Sequence, residues 1–485
     1  MSFETALHAY TKCVQAAFVN AESSMRAKGG LISFQSKTNQ LRGLVEQLER
    51  EDEFNQLIEH TRSELSSEFY KSKSESVWKH AVQTFFRKTG YYSSVFKALN
   101  DPFDLVRMYQ AAFRRQHINI TYLAPMEFVT FPKSQLIFSG FEIRQFERNE
   151  LETIVGNDVN RVFYPHAVVD TQALQGYWFI LIKVQHDAPR PGRIDLDLAS
   201  IGRVLPLYTT LPSEVERVLK RLVLFEWVVE PDIDHYPYGS RFGFNIPFVV
   251  RVDDSELSSP RPAPDCSILA TEPQIDPNTE EEYEARTIFF ELRASDVIAF
   301  EQFTSRADEC LRNLEADETR WPFLKVATGN LIKGFFADGV EQLLWHITAL
   351  EALLGERKQG IEASLRRRTA VILQANENER AVVRKQFKNL YDLRCDLVHG
   401  NEFKQSMHWH NLFEARTMAR RVMIWFVHYI AEIAVRINEG SWQGDPPKRE
   451  DFLNLLDLSD ADRSRFSSLL NNLPSGFPTP PTWSR

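Results

Sequence analysis

Cysteine is scarce in this chain: four in 485 residues, Cys13, Cys266, Cys310 and Cys395, scattered without any paired spacing. That pattern offers neither a disulfide framework nor a zinc site. Long apolar runs are missing too. The most apolar stretch, around Met423 to Val435, is interrupted by His428 and Glu432, and the opening Met1-Ser2-Phe3-Glu4 has neither a basic start nor an apolar core. No membrane span or signal peptide is therefore expected, and a reducing cytoplasm is the expected compartment. There is no Gly-rich phosphate loop and no Ser-centred nucleophile elbow. A net charge of −9 gives no chain-wide attraction for nucleic acid.

The charge is unevenly distributed. Residues 321–437 carry 17 Lys and Arg against 12 Asp and Glu, a net of +5 that leaves −14 for the remainder. Arg366, Arg367, Arg368, Lys385, Lys388, Arg416, Arg420 and Arg421 supply most of it. A solvated helix face accounts for most of these side chains, and a phosphate track for a few.

At this length, with 43% hydrophobic content, the chain holds two or three domains. Residues 1–115 read as a helical region, with amphipathic runs at Leu41 to Arg50 and Ser74 to Phe86. From His117 the texture changes to β-formers: Ile118 to Tyr122, Leu136 to Arg144, Tyr177 to Val184 and Phe242 to Val252, with a helix at Ser213 to Leu224. This α+β region, 116–300, is read as a sensing or regulatory domain. It contains the Pro-rich linker Ser258 to Asp265, and the strand Ala285 to Leu292 follows the acidic Glu280-Glu281-Glu282. Helical spacing then dominates 301–440: Pro322 to Phe336, a stripe at Val340, Leu343, Leu344, Ile347, Leu350 and Leu354, then Ile361 to Gln374, Ala375 to Val398 and Trp409 to Ile437. These five helices with short connections predict a bundle. A helical and Pro-rich tail, 441–485, closes the chain.

The segment Leu390-Tyr391-Asp392-Leu393-Arg394-Cys395-Asp396-Leu397-Val398-His399-Gly400-Asn401 ends one bundle helix. Arginine offers a permanently charged fork shaped for phosphate, and histidine exchanges protons near neutrality. Spacing alone is weak. Arg161 and His166 share the separation, but Pro165 makes that pair an extended or turn segment. Arg421 and His428 are further apart and lie in an apolar run, where a core or interface histidine is the better reading. Arg394 falls on the stripe of Val383, Phe387, Leu390 or Tyr391, and Val398, and Gly400 stops the helix. Five positions on a regular helix set two side chains about 140° apart, so Arg394 and His399 converge only if the last turn loosens or a second chain contributes. A purely structural reading is also open. Arg394 pairs with Glu351, an acid embedded in its own apolar stripe, while His399 caps carbonyls.

Other constellations are poorer. Asp232-Ile233-Asp234-His235 sits among Pro231, Pro237 and Gly239, as a turn would. His408 and His410 are too close on a helix to share a face. No metal site and no cofactor are expected.

Taken together, Ala349 to Leu354, Leu365-Arg366-Arg367-Arg368, and Tyr391-Asp392-Leu393-Arg394 ending in Val398-His399-Gly400 resemble the Apea-like branch of the HEPN domains. The resemblance spans roughly residues 320 to 437. With the regions read above, the expected fold is a multidomain chain of mixed class, N-terminal helical and α+β regions followed by an all-α bundle that the resemblance makes HEPN-like. It also implies a metal-independent endoribonuclease that dimerises through the bundle, with Arg394 and His399 as the catalytic pair. Many such motifs place a small or amide residue after the arginine, where this chain has Cys395. Glu351, Asp396 and Cys395 are supporting candidates, and Arg366, Arg367, Arg368, Lys385 and Lys388 are candidates for RNA contact. The implied setting is a toxin or effector of anti-phage defence, with RNA as substrate, a phage-derived trigger or inhibitory partner, and no membrane. The alternative is a non-catalytic HEPN module that dimerises or binds nucleotide or RNA.

Overall fold

The computed structural model describes residues 2–27, 43–65, 75–88, 102–115, 117–155, 171–172, 174–187, 212–225, 227, 244–246, 249–254, 271–275, 282–286, 288–315, 320–337, 339–356, 360–374, 376–400, 409–442 and 445–462. In chain order come α1 (Phe3–Ala27), α2 (Asp52–His60), α3 (Glu75–Lys88), α4 (Pro102–Arg114), β1 (His117–Met126), β2 (Phe128–Thr130), β3 (Gln135–Phe138) and β4 (Phe141–Gln145). They are followed by α5 (Arg148–Val155), β5 (Trp178–Asp187), α6 (Ser213–Leu224), β6 (Val250–Asp253), β7 (Thr271–Ile275), β8 (Glu282–Arg286) and β9 (Ile288–Glu291). The helical C-terminal region has α7 (Val297–Glu315), α8 (Pro322–Phe336), α9 (Gly339–Leu354), α10 (Ile361–Leu373), α11 (Glu377–His399), α12 (Trp409–Asn438) and α13 (Arg449–Asp457). No helix among the described residues is long and apolar enough to cross a membrane.

The fold is mixed, and the chain divides into two units that are both discontinuous in sequence. The first comprises Met1–Met126, Gly140–Pro212 and Ile246–Ala270, the second Glu127–Ser139, Ser213–Asn245 and Thr271–Arg485. The region 116–300, read from sequence as one α+β domain, is thus shared between them. In the first unit, α1 to α4 enclose an aromatic core of Tyr10, Phe54, Trp78, Phe85, Phe86, Tyr109 and Phe113. Its antiparallel sheet has β1 against β5 along ten residues, with β6 beyond β1 and β4 beyond β5. Burial alternates early in β1, with Ile118, Ile120 and Tyr122 buried, as the two-residue strand period requires. The expected strand Leu136 to Arg144 is in fact β3 and β4, separated at Gly140, whose φ of 85° is a left-handed conformation that glycine adopts without strain. Of Phe242 to Val252, only Val250–Asp253 and an isolated bridge at Asn245 are β-structure among the described residues.

In the second unit the expected helices appear within a few residues of their predicted ends. Pro322 begins α8 where its missing N–H costs no hydrogen bond. Asn376 caps α11 by accepting from Glu379 N at 2.9 Å. The stripe Leu343, Ile347, Leu350 and Leu354 is buried, as are Val383, Phe387 and Leu390. Val340 and Val398, at the ends of those stripes, are 38% and 53% exposed.

Arginine departs furthest from expectation. Arg368 is 1% exposed and is hydrogen-bonded at every guanidinium nitrogen: Nε and Nη2 to the two oxygens of Asp457 at 3.0 and 2.6 Å, Nη1 to Leu354 O at 2.7 Å, and Nη2 to Glu356 at 3.0 Å. A guanidinium so enclosed has no donor for RNA, so Arg368 leaves the proposed phosphate track. Arg416 and Arg420 are buried as well. The first lies 4.6 Å over the ring of Phe335, and the second donates to Phe225 O at 2.8 Å. They are core groups, not a solvated face. Part of the positive charge counted along residues 321–437 is therefore internal.

The segment read as a tail contributes to this packing, since Asp457 of α13 accepts from Arg368 and Asp460 accepts from the buried Arg380 at 2.8 Å. Residues 463–485 lie outside the described residues. Removing one partner of a buried pair strands the other charge. Asp457→Ala is expected to lower the unfolding free energy by about 3 kcal/mol in denaturant titrations. Asp460→Ala, whose carboxylate is 62% exposed, should cost less than about 1 kcal/mol.

His346 of α9 is fully buried against Gly334 of α8, where a Cβ would lie 3.0 Å from the imidazole. Burial, and then the nearby Arg416, push its pKa down to about 3, so the folded protein keeps it neutral. The unfolded chain takes up this proton near pH 6.5, the native state only near 3, so the stability contribution is intact above 6.5 and is lost as pH falls through that window. His346→Leu should make stability less steep in pH there, by up to roughly 1.4 kcal/mol per unit in chemical denaturation.

Candidate functional site

Arg394 and its neighbours belong to α11, which remains α-helical through His399 and ends at Gly400 with φ 64°, a left-handed cap. Five residues of regular helix separate Arg394 from His399 by about 140° around the axis and about 7.5 Å along it. The last turn does not loosen. Arg394 is half-buried, while His399 is exposed at the helix end.

Glu351, in the last turn of α9, meets Arg394 as the structural reading required. The Nη2 atom of Arg394 lies 3.4 Å from each carboxylate oxygen, and both side chains are 24% exposed. This is a loose pair, since a charge-assisted fork normally closes to about 2.7–2.9 Å on two parallel bonds. No further side-chain partner holds Arg394 by hydrogen bond or ion pair among the described residues, so most of its five donors are available. The contrast with Arg368, saturated and enclosed in the same unit, separates an arginine built into the core from one presented at its edge.

Glu351 is itself anchored. Arg449 donates to the backbone carbonyls of Glu351 at 3.2 Å and Leu353 at 3.1 Å, and also to Gly355 O. A cation on the last carbonyls of a helix offsets their partial negative charge. The sequence analysis assigned no role in the site to Arg449 or to Tyr391. Tyr391 precedes Arg394 by three positions, a spacing that puts both on one helix face and could have flagged it. Its ring lies 5.7 Å from the Arg394 guanidinium and is stacked on Phe387 at 6.1 Å.

Cys395 is half-buried with a free thiol, and Asp396 is half-buried while its carbonyl accepts from the capping Gly400 N. Lys385 is exposed. Lys388 is exposed beside Asp392 at 3.2 Å. Arg366 pairs with Glu362 at 3.5 Å and Arg367 with Asp457 at 2.7 Å. The site thus brings together Arg394, Glu351 and Tyr391. His399 is on the same helix but turned away, and the basic residues of α10 have carboxylate partners of their own.

Among the rivals, Arg161, His166 and the Asp232 to His235 run lie outside the described residues. His428 of α12 is half-buried, and burial together with Arg306 lowers its pKa to about 4, so it is neutral at physiological pH. It stacks edge-on against Tyr429. No cluster of three or more His, Cys, Asp and Glu suited to a metal ion occurs among the described residues.

If the Glu351 pair exists only to hold the bundle, Arg394→Ala should weaken folding. Because the contact is loose and partly exposed, we expect less than about 1 kcal/mol in denaturant titration. A loss of several kcal/mol would show a structural arginine instead. In comparisons with family models, characterised proteins and solved structures, the chain matches none.

Proposed function

We propose that this chain is a metal-independent endoribonuclease of the HEPN type, acting as an effector in anti-phage defence. The observation that carries the reading is Arg394. It is a half-buried arginine at a helix end with most of its donors uncommitted, four intervening residues before an exposed histidine. Arg368, in the same unit, is by contrast enclosed and hydrogen-bonded at every guanidinium nitrogen.

In the proposed reaction the ribose 2′-hydroxyl attacks the adjacent phosphorus. The 2′-O–P bond forms as the bond to the 5′-oxygen breaks, leaving a 2′,3′-cyclic phosphate and a 5′-hydroxyl. His399 takes the 2′-proton or delivers one to the leaving oxygen, and Arg394 stabilises the charge that grows on the phosphoryl oxygens. Arginine and histidine supply both needs without a metal ion. Activity is expected to survive EDTA and to vanish in Arg394→Ala and His399→Ala, measured on labelled RNA. Arg394→Lys should recover little, because a point charge lacks the bidentate fork. Substitutions at Arg161 and His166 should leave cleavage intact. Full activity without Arg394 or His399 would rule out this site, and no cleavage by the wild-type chain would leave the bundle a non-catalytic dimerisation or binding module.

The regular end of α11 adds a condition. One chain does not aim both side chains at one phosphate, so we propose a homodimer through the bundle whose sites each combine Arg394 of one subunit with His399 of the other. Mixing inactive Arg394→Ala and His399→Ala subunits should then restore about a quarter of wild-type activity, since half the dimers are mixed and each regains one of two sites. Failure of mixed subunits to cleave, while they co-sediment as dimers, would defeat the composite site.

A further inference from the structure

Two contacts of different kinds meet at Arg394. The guanidinium carbon lies 5.7 Å over the ring of Tyr391, and Phe387 stacks on that ring at 6.1 Å with planes 20° apart. An aromatic face attracts the cation without using its N–H groups. Glu351 does use them, but only at Nη2, which lies 3.4 Å from each carboxylate oxygen. Nε and Nη1 have no hydrogen-bond partner among the described residues.

The carboxylate is the contact that can be exchanged. Arg449 holds the backbone of Glu351 through its carbonyl at 3.2 Å, while the Glu351 side chain is 24% exposed. Rotation about its own bonds therefore turns the carboxylate into water with no movement of α9. A loose, partly exposed pair of this kind contributes little. A phosphate that closes two parallel bonds on the planar fork makes the stronger contact. We propose that Glu351 is a displaceable counter-ion: it occupies Arg394 in the free chain and yields it to a backbone phosphate of the RNA, while the Tyr391 ring keeps the guanidinium in place. The carboxylate thus sets a threshold for anion binding at this site. This deepens the ribonuclease reading and rests on it for the identity of the ligand.

The test uses the full chain and two probes: a 2′-O-methyl RNA oligonucleotide, which lacks the attacking hydroxyl, for binding by fluorescence anisotropy, and unmodified RNA for cleavage. Glu351→Gln removes the charge at nearly constant shape. It is expected to bind the 2′-O-methyl RNA about threefold to fivefold more tightly than wild type, the range that loss of an exposed pair allows, and to lower KM for cleavage. In an Arg394→Ala background the same substitution should give no gain, because the carboxylate then has no guanidinium to occupy. General repulsion between Glu351 and RNA would instead give the gain in both backgrounds. Glu351→Ala should match Glu351→Gln, and it serves if the glutamine variant fails to fold. Unchanged or weaker binding by the Glu351 variants, a gain that persists without Arg394, or failure of both variants to fold would overturn the proposal. The expected binding pattern without any cleavage would support it and count against the ribonuclease reading alone. Cleavage that depends on Arg394 and His399, with no gain on removing the carboxylate, would leave that reading standing and defeat the counter-ion exchange.

Discussion

The enclosure of Arg368 is the constraint on which the second unit depends. One guanidinium ties the C-terminal carbonyl of α9 at Leu354 to α10, on which it sits, and to Asp457 at the end of α13. A buried charge is tolerated only when its hydrogen bonds are complete, and a change at any of these points leaves a charge or carbonyl unsatisfied. Arg449 acts on the same helix end through backbone carbonyls alone. The last turn of α9, which presents Glu351, is thus held from two sides by residues from the final described part of the chain and from α10.

That rigidity gives the candidate site its character. The end of α9 is tied through its carbonyls, so the backbone that carries Glu351 is held in place. With α11 regular to His399, Arg394 and His399 cannot converge within one helix. What remains is an arginine on a cushion of Tyr391 and Phe387, loosely countered by one carboxylate, with a histidine presented around the corner. An anion can be recognised by such an arrangement; proton transfer to it calls for a further element, supplied in our proposal by a second subunit.

Much of the helical region was legible because burial follows periodicity. Leu343, Ile347, Leu350 and Leu354 repeat at three and four positions and are all buried, and local chemistry marks the ends of α11 at Asn376 and Gly400. The helix Ser213–Leu224 appears with the limits read from sequence. The middle of the chain was harder, since strand texture carries no information on which unit a strand joins. Residues on either side of Gly140 read as one β-run and are assigned to different units. Charge was the least legible. Arg366, Arg367 and Arg368 are identical in sequence, yet one is half-buried, one exposed and one enclosed.

The sequence by itself determined the helices of the C-terminal region, the position of the Arg394 and His399 motif at a helix end, and the proximity of Tyr391 to Arg394, because all of these follow from backbone periodicity and neighbours three to five residues apart. Only the tertiary structure decided which arginines are core and which are presented, and that Arg394 faces Glu351 loosely rather than in a closed fork. Those outcomes depend on carboxylates and carbonyls distant in the chain, such as Asp457, Glu351 and Leu354, whose arrival at a given guanidinium is fixed by packing and not by any local pattern.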